Sequence, residues 1–142
     1  MRLLGFDIAT ARGARLEELF EVARRDGRTV LTLSPRHPKR FADVPALVVP
    51  RADPAAALRG IVAAHAPAGP PFSRCADCNT ALERRHVFEA RGEVPGRVAR
   101  GAAHLMHCPH CGKWYWEGSH VARVREWLEA ALGRPVGPGE GS

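Results

Sequence analysis

The four cysteines fall in two identical spacings, Cys75-Ala76-Asp77-Cys78 and Cys108-Pro109-His110-Cys111. Each Cys-x-x-Cys unit can form a tight turn that sets two sulfurs on one side, with backbone N–H groups pointing at them. Two such turns close a tetrahedral four-sulfur cage with metal–sulfur bonds of about 2.3 Å. A closed cage leaves no catalytic position, so the implied chemistry is structural: one zinc ion per chain, stabilising a ribbon whose apolar content is too small to hold it alone. Two disulfides would suit a secreted protein, but Met1–Asp7 reaches an acid before a secretory apolar core of about 7 to 15 residues can form. Cys108–Cys111 also has the form of an oxidising dithiol site. That motif opens a helix, whereas Gly112-Lys113-Trp114-Tyr115-Trp116 follows here, and glycine directly after the second cysteine suits a metal knuckle. An iron–sulfur cluster is the chemical alternative left open, with zinc favoured by the long insert between the pairs. His107 and His110 flank a site that already has four sulfurs, and read as surface residues.

Trp114, Tyr115 and Trp116 invite base stacking beside basic residues. Strand alternation would bury both tryptophans and expose Tyr115, so packing is the expected role of two of the three. His120, in Gly118-Ser119-His120, either approaches a cleft or merely occupies the first turn of a helix.

The elements that must position these residues change character near residue 66. Upstream, Gly5 to Thr10 reads as a short buried strand. Leu16, Leu19, Phe20 and Ala23 recur at helical spacing until Gly27 offers a left-handed stop, and Thr29 to Leu33 is a second strand. Ala46 to Val49 is another apolar run, and Asp53 can cap a helix burying Leu58, Ile61 and Val62. This alternation predicts an α/β domain over residues 1–66 with a mostly parallel sheet and flanking helices. Pro67-Ala68-Gly69-Pro70-Pro71 can neither continue a helix nor donate to a ladder, so 67–72 reads as a linker. A small zinc ribbon over 73–119 follows, its insert a loop or weak hairpin. A C-terminal helix over 120–133 comes next, capped by Ser119, turning Val121, Val124, Trp127, Leu128, Ala131 and Leu132 inward and stopped by Gly133; residues 134–142 read as a tail, frayed from Val136.

Of the 142 residues, 45% are apolar and 25% charged, which fits one domain or a domain with an appendage and argues against global disorder. The longest apolar runs fall well short of the roughly 20 residues a membrane helix needs, so no membrane partner is expected and the cytoplasm is the default location. The net charge of +6 comes from 21 basic and 15 acidic residues, with Lys39 and Lys113 the only lysines. It suits a polyanion without requiring one.

These residues resemble a known family: the PIN-like RNase domain with an appended zinc ribbon, first described at the C-terminus of the mutator-seven exonuclease. Leu3-Leu4-Gly5-Phe6-Asp7 is similar to the family's strand entry, Leu19 to Ala23 to a helix, and Gly27 to Thr32 to the next strand. Arg74–Asn79 and Cys108–His120 resemble its ribbon almost continuously. The resemblance implies a PIN-like fold and, in active members, Mg²⁺ or Mn²⁺ held by clustered carboxylates that activate water beside a phosphate. Relative to that pattern, the chain begins after a strand ending in Asp and an Arg-rich helix. Its positions near Leu16 and at Leu33-Ser34 also carry no acid. Asp7 and Asp53 are the remaining candidates for catalysis, with Asp43 nearby in sequence. Ser34-Pro35-Arg36-His37-Pro38-Lys39-Arg40 leaves a strand end where α/β folds place ligands, so Arg36, Lys39 and Arg40 either contact phosphate directly or form a solvated basic loop. The expectation is a catalytically degenerate, RNA-binding member, with Arg36, Lys39, Arg40, Tyr115 and His120 as candidate contacts. The alternatives are an active metal-dependent endoribonuclease and a protein-interaction module. A protein partner completing an open sheet edge would fit either version.

Overall fold

Leu16, Leu19, Phe20 and Ala23 share one helical face, and in the computed structural model, which describes residues 1–137, they line the inner side of α1 (Leu16–Asp26). Glu18 accepts a hydrogen bond from the Arg15 N–H, and Gly27, at φ +65°, ends the helix with its N–H on the Ala23 carbonyl. β1 (Val30–Thr32), the single turn α2 (His37–Arg40), β2 (Ala46–Val48) and α3 (Pro54–Ala64) follow. β1 and β2 are parallel, with Val30 opposite Ala46 and Thr32 opposite Val48. Phe20, Ala23, Val30 and Val44 form the core, where the Phe20 ring stacks on Phe41 at 4.0 Å. Asp53 caps α3 by accepting from the Ala56 N–H at 2.9 Å, Pro54 stands in the first turn where its missing N–H costs nothing, and Leu58 and Ile61 are buried. These elements make one compact unit, Thr10–Ala66. The other unit joins Met1–Ala9 to the chain from Pro67 onward.

That division corrects the expectation for the N-terminus. Gly5 to Thr10 forms no strand, and Met1–Ala9 does not belong with residues 10–66. Arg2–Leu4 is a 3-10 turn and Gly5 follows at φ +84°. The Gly5 carbonyl accepts from the Ala68 and Gly69 N–H groups at 3.0 and 3.2 Å, and the Leu3 carbonyl accepts from the Phe72 N–H at 2.6 Å. The backbone groups a ladder would need are therefore used by the proline-rich segment, which composition alone suggests is a plain linker. A Cβ on Gly5 would lie 2.1 Å from the Gly69 oxygen, so glycine is required there by both conformation and space.

The rest of this unit is β3 (Glu83–His86), a 3-10 turn (Val87–Ala90), α4 (Gly96–Gly101), β4 (His104–His107), β5 (Trp114–Tyr115) and α5 (Ser119–Leu132). The three strands form an antiparallel sheet in the order β3-β4-β5. The insert between the cysteine pairs is thus neither loop nor simple hairpin. It supplies two strands and a short helix, and Val87, Ala90 and Leu105 form a small core ringed by Val94, Val98, Trp114 and Trp116. In α5, Gly118 takes the capping position and the Ser119 side chain does not cap. Leu128 and Ala131 are buried, but Trp127 is 50% exposed. Gly133 stops the helix as its sequence position predicts. Val136 is no frayed residue: it is 3% exposed and its N–H donates to Glu129 Oε1 at 2.8 Å. The expected tail beyond it, 138–142, lies outside the described residues. An α/β chain with a four-cysteine cluster is therefore borne out, with the parallel sheet limited to two strands.

Candidate metal centre

Each knuckle is built by the same pair of backbone bonds. The Cys75 N–H donates to the Thr80 carbonyl at 2.9 Å and the Asn79 N–H to the Cys75 carbonyl at 3.0 Å. The Cys108 N–H donates to the Lys113 carbonyl and the Gly112 N–H to the Cys108 carbonyl, both at 2.9 Å. The turn demands a left-handed residue directly after its second cysteine, and Asn79 (φ +66°) and Gly112 (φ +76°) supply it. The sulfurs converge as a result. All four lie within 4.8 Å of one another, with Cys78–Cys108 at 3.3 Å and Cys75–Cys111 at 3.7 Å. A tetrahedral ion with bonds of about 2.3 Å needs sulfur–sulfur edges of about 3.8 Å, whereas a disulfide needs about 2.05 Å. The cysteines are unbridged and positioned to bind one metal ion.

The surroundings divide the charge unequally among the sulfurs. The Thr80 hydroxyl and backbone N–H hold Cys78 down to about 6. Burial opposes ionisation of Cys75, but hydrogen bonds from the Tyr115 hydroxyl and from the Cys78 and Asp77 N–H groups outweigh it, so its pKa is lowered. At Cys111 the Lys113 N–H favours the thiolate, yet burial and the adjacent Cys108 and Cys75 sulfurs win and push it up to about 12. Without an ion, Cys111 keeps its proton; a divalent cation would remove that conflict.

Residues that the cysteine spacing did not reveal hold the first knuckle. Arg2 donates through Nη1 to the Ala76 and Asp77 carbonyls at 2.7 and 2.8 Å, and through Nε to the Ile8 carbonyl at 2.9 Å. Asn79 Oδ1 accepts from the Ile8 N–H at 2.9 Å while its Nδ2 donates to Asp7 at 2.6 Å. Arg74 donates to the Asn79 carbonyl at 2.6 Å and stands 3.9 Å from Asp7. The signal available in the sequence was positional, since Asn79 occupies the place in its knuckle that Gly112 occupies in the other.

Tyr115 also belongs here. It is half-buried, not exposed: its hydroxyl lies 3.0 Å from Cys75 Sγ and accepts from the Ala76 N–H at 3.2 Å. His120 is exposed in the first turn of α5.

The family model of the Mut7-C RNAse domain matches residues 1–128. The chain belongs to that family. No curated protein and no solved structure matches it. In this Mut7-C RNAse domain the candidate acids have structural partners: Asp7 has Asn79 and Arg74, Asp53 caps α3, and Asp43 accepts a two-pronged bond from Arg24. Among the described residues, the four cysteines are the one group of three or more His, Cys, Asp or Glu close enough to share an ion. Arg36 and Lys39 are exposed on the turn after β1, while Arg40 pairs with Glu17 and lies over the Phe41 ring. The turn is fixed by Thr32, whose hydroxyl bonds His37 Nδ1 at 2.6 Å and accepts from the Ser34 N–H at 3.1 Å. No described helix is long and apolar enough to cross a membrane.

Proposed function

We propose that this Mut7-C RNAse domain binds single-stranded RNA without cutting it, with its C-terminal unit folded around one structural zinc. The observation that carries this reading is the engagement of Asp7, Asp43 and Asp53 in a knuckle bridge, an ion pair and a helix cap, which leaves them as fasteners instead of a convergent carboxylate cluster. Zinc supplies the four thiolates with a common countercharge, and sulfur-only ligation suits zinc better than a hard cation. The exposed cations of the turn after β1, Arg36 and Lys39, with Arg40 beside them, add phosphate contacts. Four unbridged cysteines suit a reducing compartment, hence the cytoplasm.

Zinc-loaded protein mixed with end-labelled single-stranded RNA should shift it without shortening it, with binding that weakens steeply as salt rises. Manganese-dependent cleavage, lost in Asp7→Asn or in Asp53→Asn, which keeps the cap but removes the charge, would establish the nuclease instead. A second reading has its own observation. β1 and β2 form a two-stranded parallel sheet that leaves Leu31, Leu33 and Val48 exposed, whereas parallel sheets are ordinarily covered on both faces. A protein partner adding a strand there would protect the Leu31 and Leu33 amides from hydrogen exchange, and Leu31→Lys would remove that protection.

A further inference from the structure

Strand alternation divides the side chains of the three-stranded sheet between two faces. Arg85 and His107 share the Leu105 and Trp114 side, which packs toward the core of Val87 and Ala90. The opposite face carries Arg84 and His86 from β3, His104 and Met106 from β4, and Tyr115 from β5. His86 stands across from His104, and Met106 lies between Arg84 and Tyr115. A wet face on an antiparallel sheet is ordinary, but it usually mixes charges of both signs. This one has a guanidinium, two imidazoles, a thioether and a phenol, and no carboxylate.

Rings and cations continue past its edges. His86 stacks on Phe88 at 4.6 Å and meets His104 edge-on at 5.3 Å. Arg91 lies 4.8 Å from the Phe88 centroid, and Phe88 itself is left 62% exposed. A groove of about 900 Å³ borders the sheet, with Arg84, Arg97, His104 and Trp116 in its wall. A second, of about 470 Å³, has Phe72, Arg74, Tyr115 and Trp116. Glu117 reaches both grooves but is paired with Arg125. An apolar ring held in water beside guanidinium groups wants a partner that is flat, unsaturated and anionic along its length. Unpaired nucleotides have that chemistry: their π-faces stack on rings and their phosphates take arginine, whereas a duplex hides the faces.

We infer that this open sheet face, from Phe88 through His86 and His104 to Arg84 and the groove beside Arg97, is where the unpaired bases of the RNA seat. The inference rests on the RNA-binding reading and places its base contacts in the zinc-held unit. The loop of Arg36, Lys39 and Arg40 then adds only charge. Stacking is insensitive to salt and phosphate contact is not, so the two contributions separate in one titration.

The test is fluorescence anisotropy of a labelled 12-nucleotide single-stranded RNA with the full zinc-loaded chain, from 50 mM to 500 mM salt. Zinc content and tryptophan emission serve as checks on folding. Phe88→Ala and His104→Ala should each weaken binding by about five-fold or more at the highest salt and leave the salt slope unchanged. Arg84→Ala with Arg97→Ala should lower that slope by about 1.4, the value for two single-strand phosphate contacts. The Arg36→Ala, Lys39→Ala, Arg40→Ala triple variant should lower the slope and leave the high-salt affinity intact. Unlabelled duplex or a mononucleotide should compete poorly. If the Phe88 and His104 variants bind like the parent while the triple variant abolishes binding, this placement is overturned and the RNA-binding reading stands. If the parent protein binds no RNA at 50 mM salt, the reading itself fails and the placement with it.

Discussion

Asn79 does two jobs that substitution can separate. Its backbone supplies the left-handed turn after Cys78, and its side chain ties the N-terminal segment to the knuckle through the Ile8 N–H and Asp7. Asn79→Gly keeps the turn without strain and removes both bonds. The Asp7 contact is exposed and contributes little, while the half-buried Ile8 N–H loses its acceptor, so the cost is about 1 to 2 kcal/mol. Asn79→Ala loses the same bonds and adds the left-handed penalty of a Cβ, about 1 kcal/mol more. Gly112→Ala calibrates that step, because it stands at the matching position (φ +76°) with open space around its Cβ. The assay is urea unfolding of zinc-loaded protein followed by tryptophan fluorescence, since Trp114, Trp116 and Trp127 all lie in the unit that holds the cage. Hydrogen exchange at Ile8 should speed up in both Asn79 variants. Equal stability of Asn79→Gly and Asn79→Ala, or an Ile8 amide that stays protected, would refute the division of labour.

Zinc affinity should rise with pH between 6.5 and 8 by about ten-fold per unit or more, because Cys111, held at about 12 in the ion-free cage, must release a proton on binding. The slope should steepen below 6, where Cys78, at about 6, must release one too; competition with a chromophoric chelator measures both regimes, and a flat profile counts against the assignment. Gly5→Ala should cost about 3 kcal/mol or more, because its Cβ would collide with the Gly69 oxygen, whereas Gly133→Ala, with the same sign of φ and nothing nearby, should cost about 1 kcal/mol. Similar unfolding midpoints for the two would show that the N-terminal turn is not packed as described. Val136→Ala should lower the stability of the tryptophan-bearing unit by about 1 to 2 kcal/mol in the same urea assay, and no change would mean that this side chain is not part of the core.

The parts of this molecule that were legible in its sequence are those whose cause is local. Two cysteine pairs, the left-handed stops at Gly27 and Gly133 and the Asp53 cap each act within a turn of chain, and each is found where the residue type placed it. The α/β alternation of residues 10–66 was readable for the same reason, from period and punctuation. What was not legible depends on distant partners. Leu3–Asp7 has the composition of a strand, but its carbonyls are taken by residues more than sixty positions away. Tyr115 alternates as predicted, yet nothing in its neighbours says that its outward side meets Cys75. The helix α4 was hidden because Gly96 and Gly101 bound a single short turn-and-a-half whose apolar face, Val98 and Ala99, is minimal. In the candidate metal centre the pairing of the four cysteines was legible and their supports were not: Arg2 and Thr80 carry no motif, and Asn79 could be recognised only by aligning one knuckle with the other.

The bonds from Arg2 to the carbonyls of Ala76 and Asp77 join residues 74 and 75 positions apart. A ribosome adding about 5 to 20 residues per second delivers the second partner several seconds after the first. Through that interval residues 10–66 emerge complete, with every strand and helix of their own unit already available, while residues 1–9 still wait for the partners that Ala68 to Asn79 supply. The nascent chain therefore closes residues 10–66 before residues 1–9, and the emergence of the first cysteine turn, which carries Ala76 and Asp77, decides when Arg2 finds its partners.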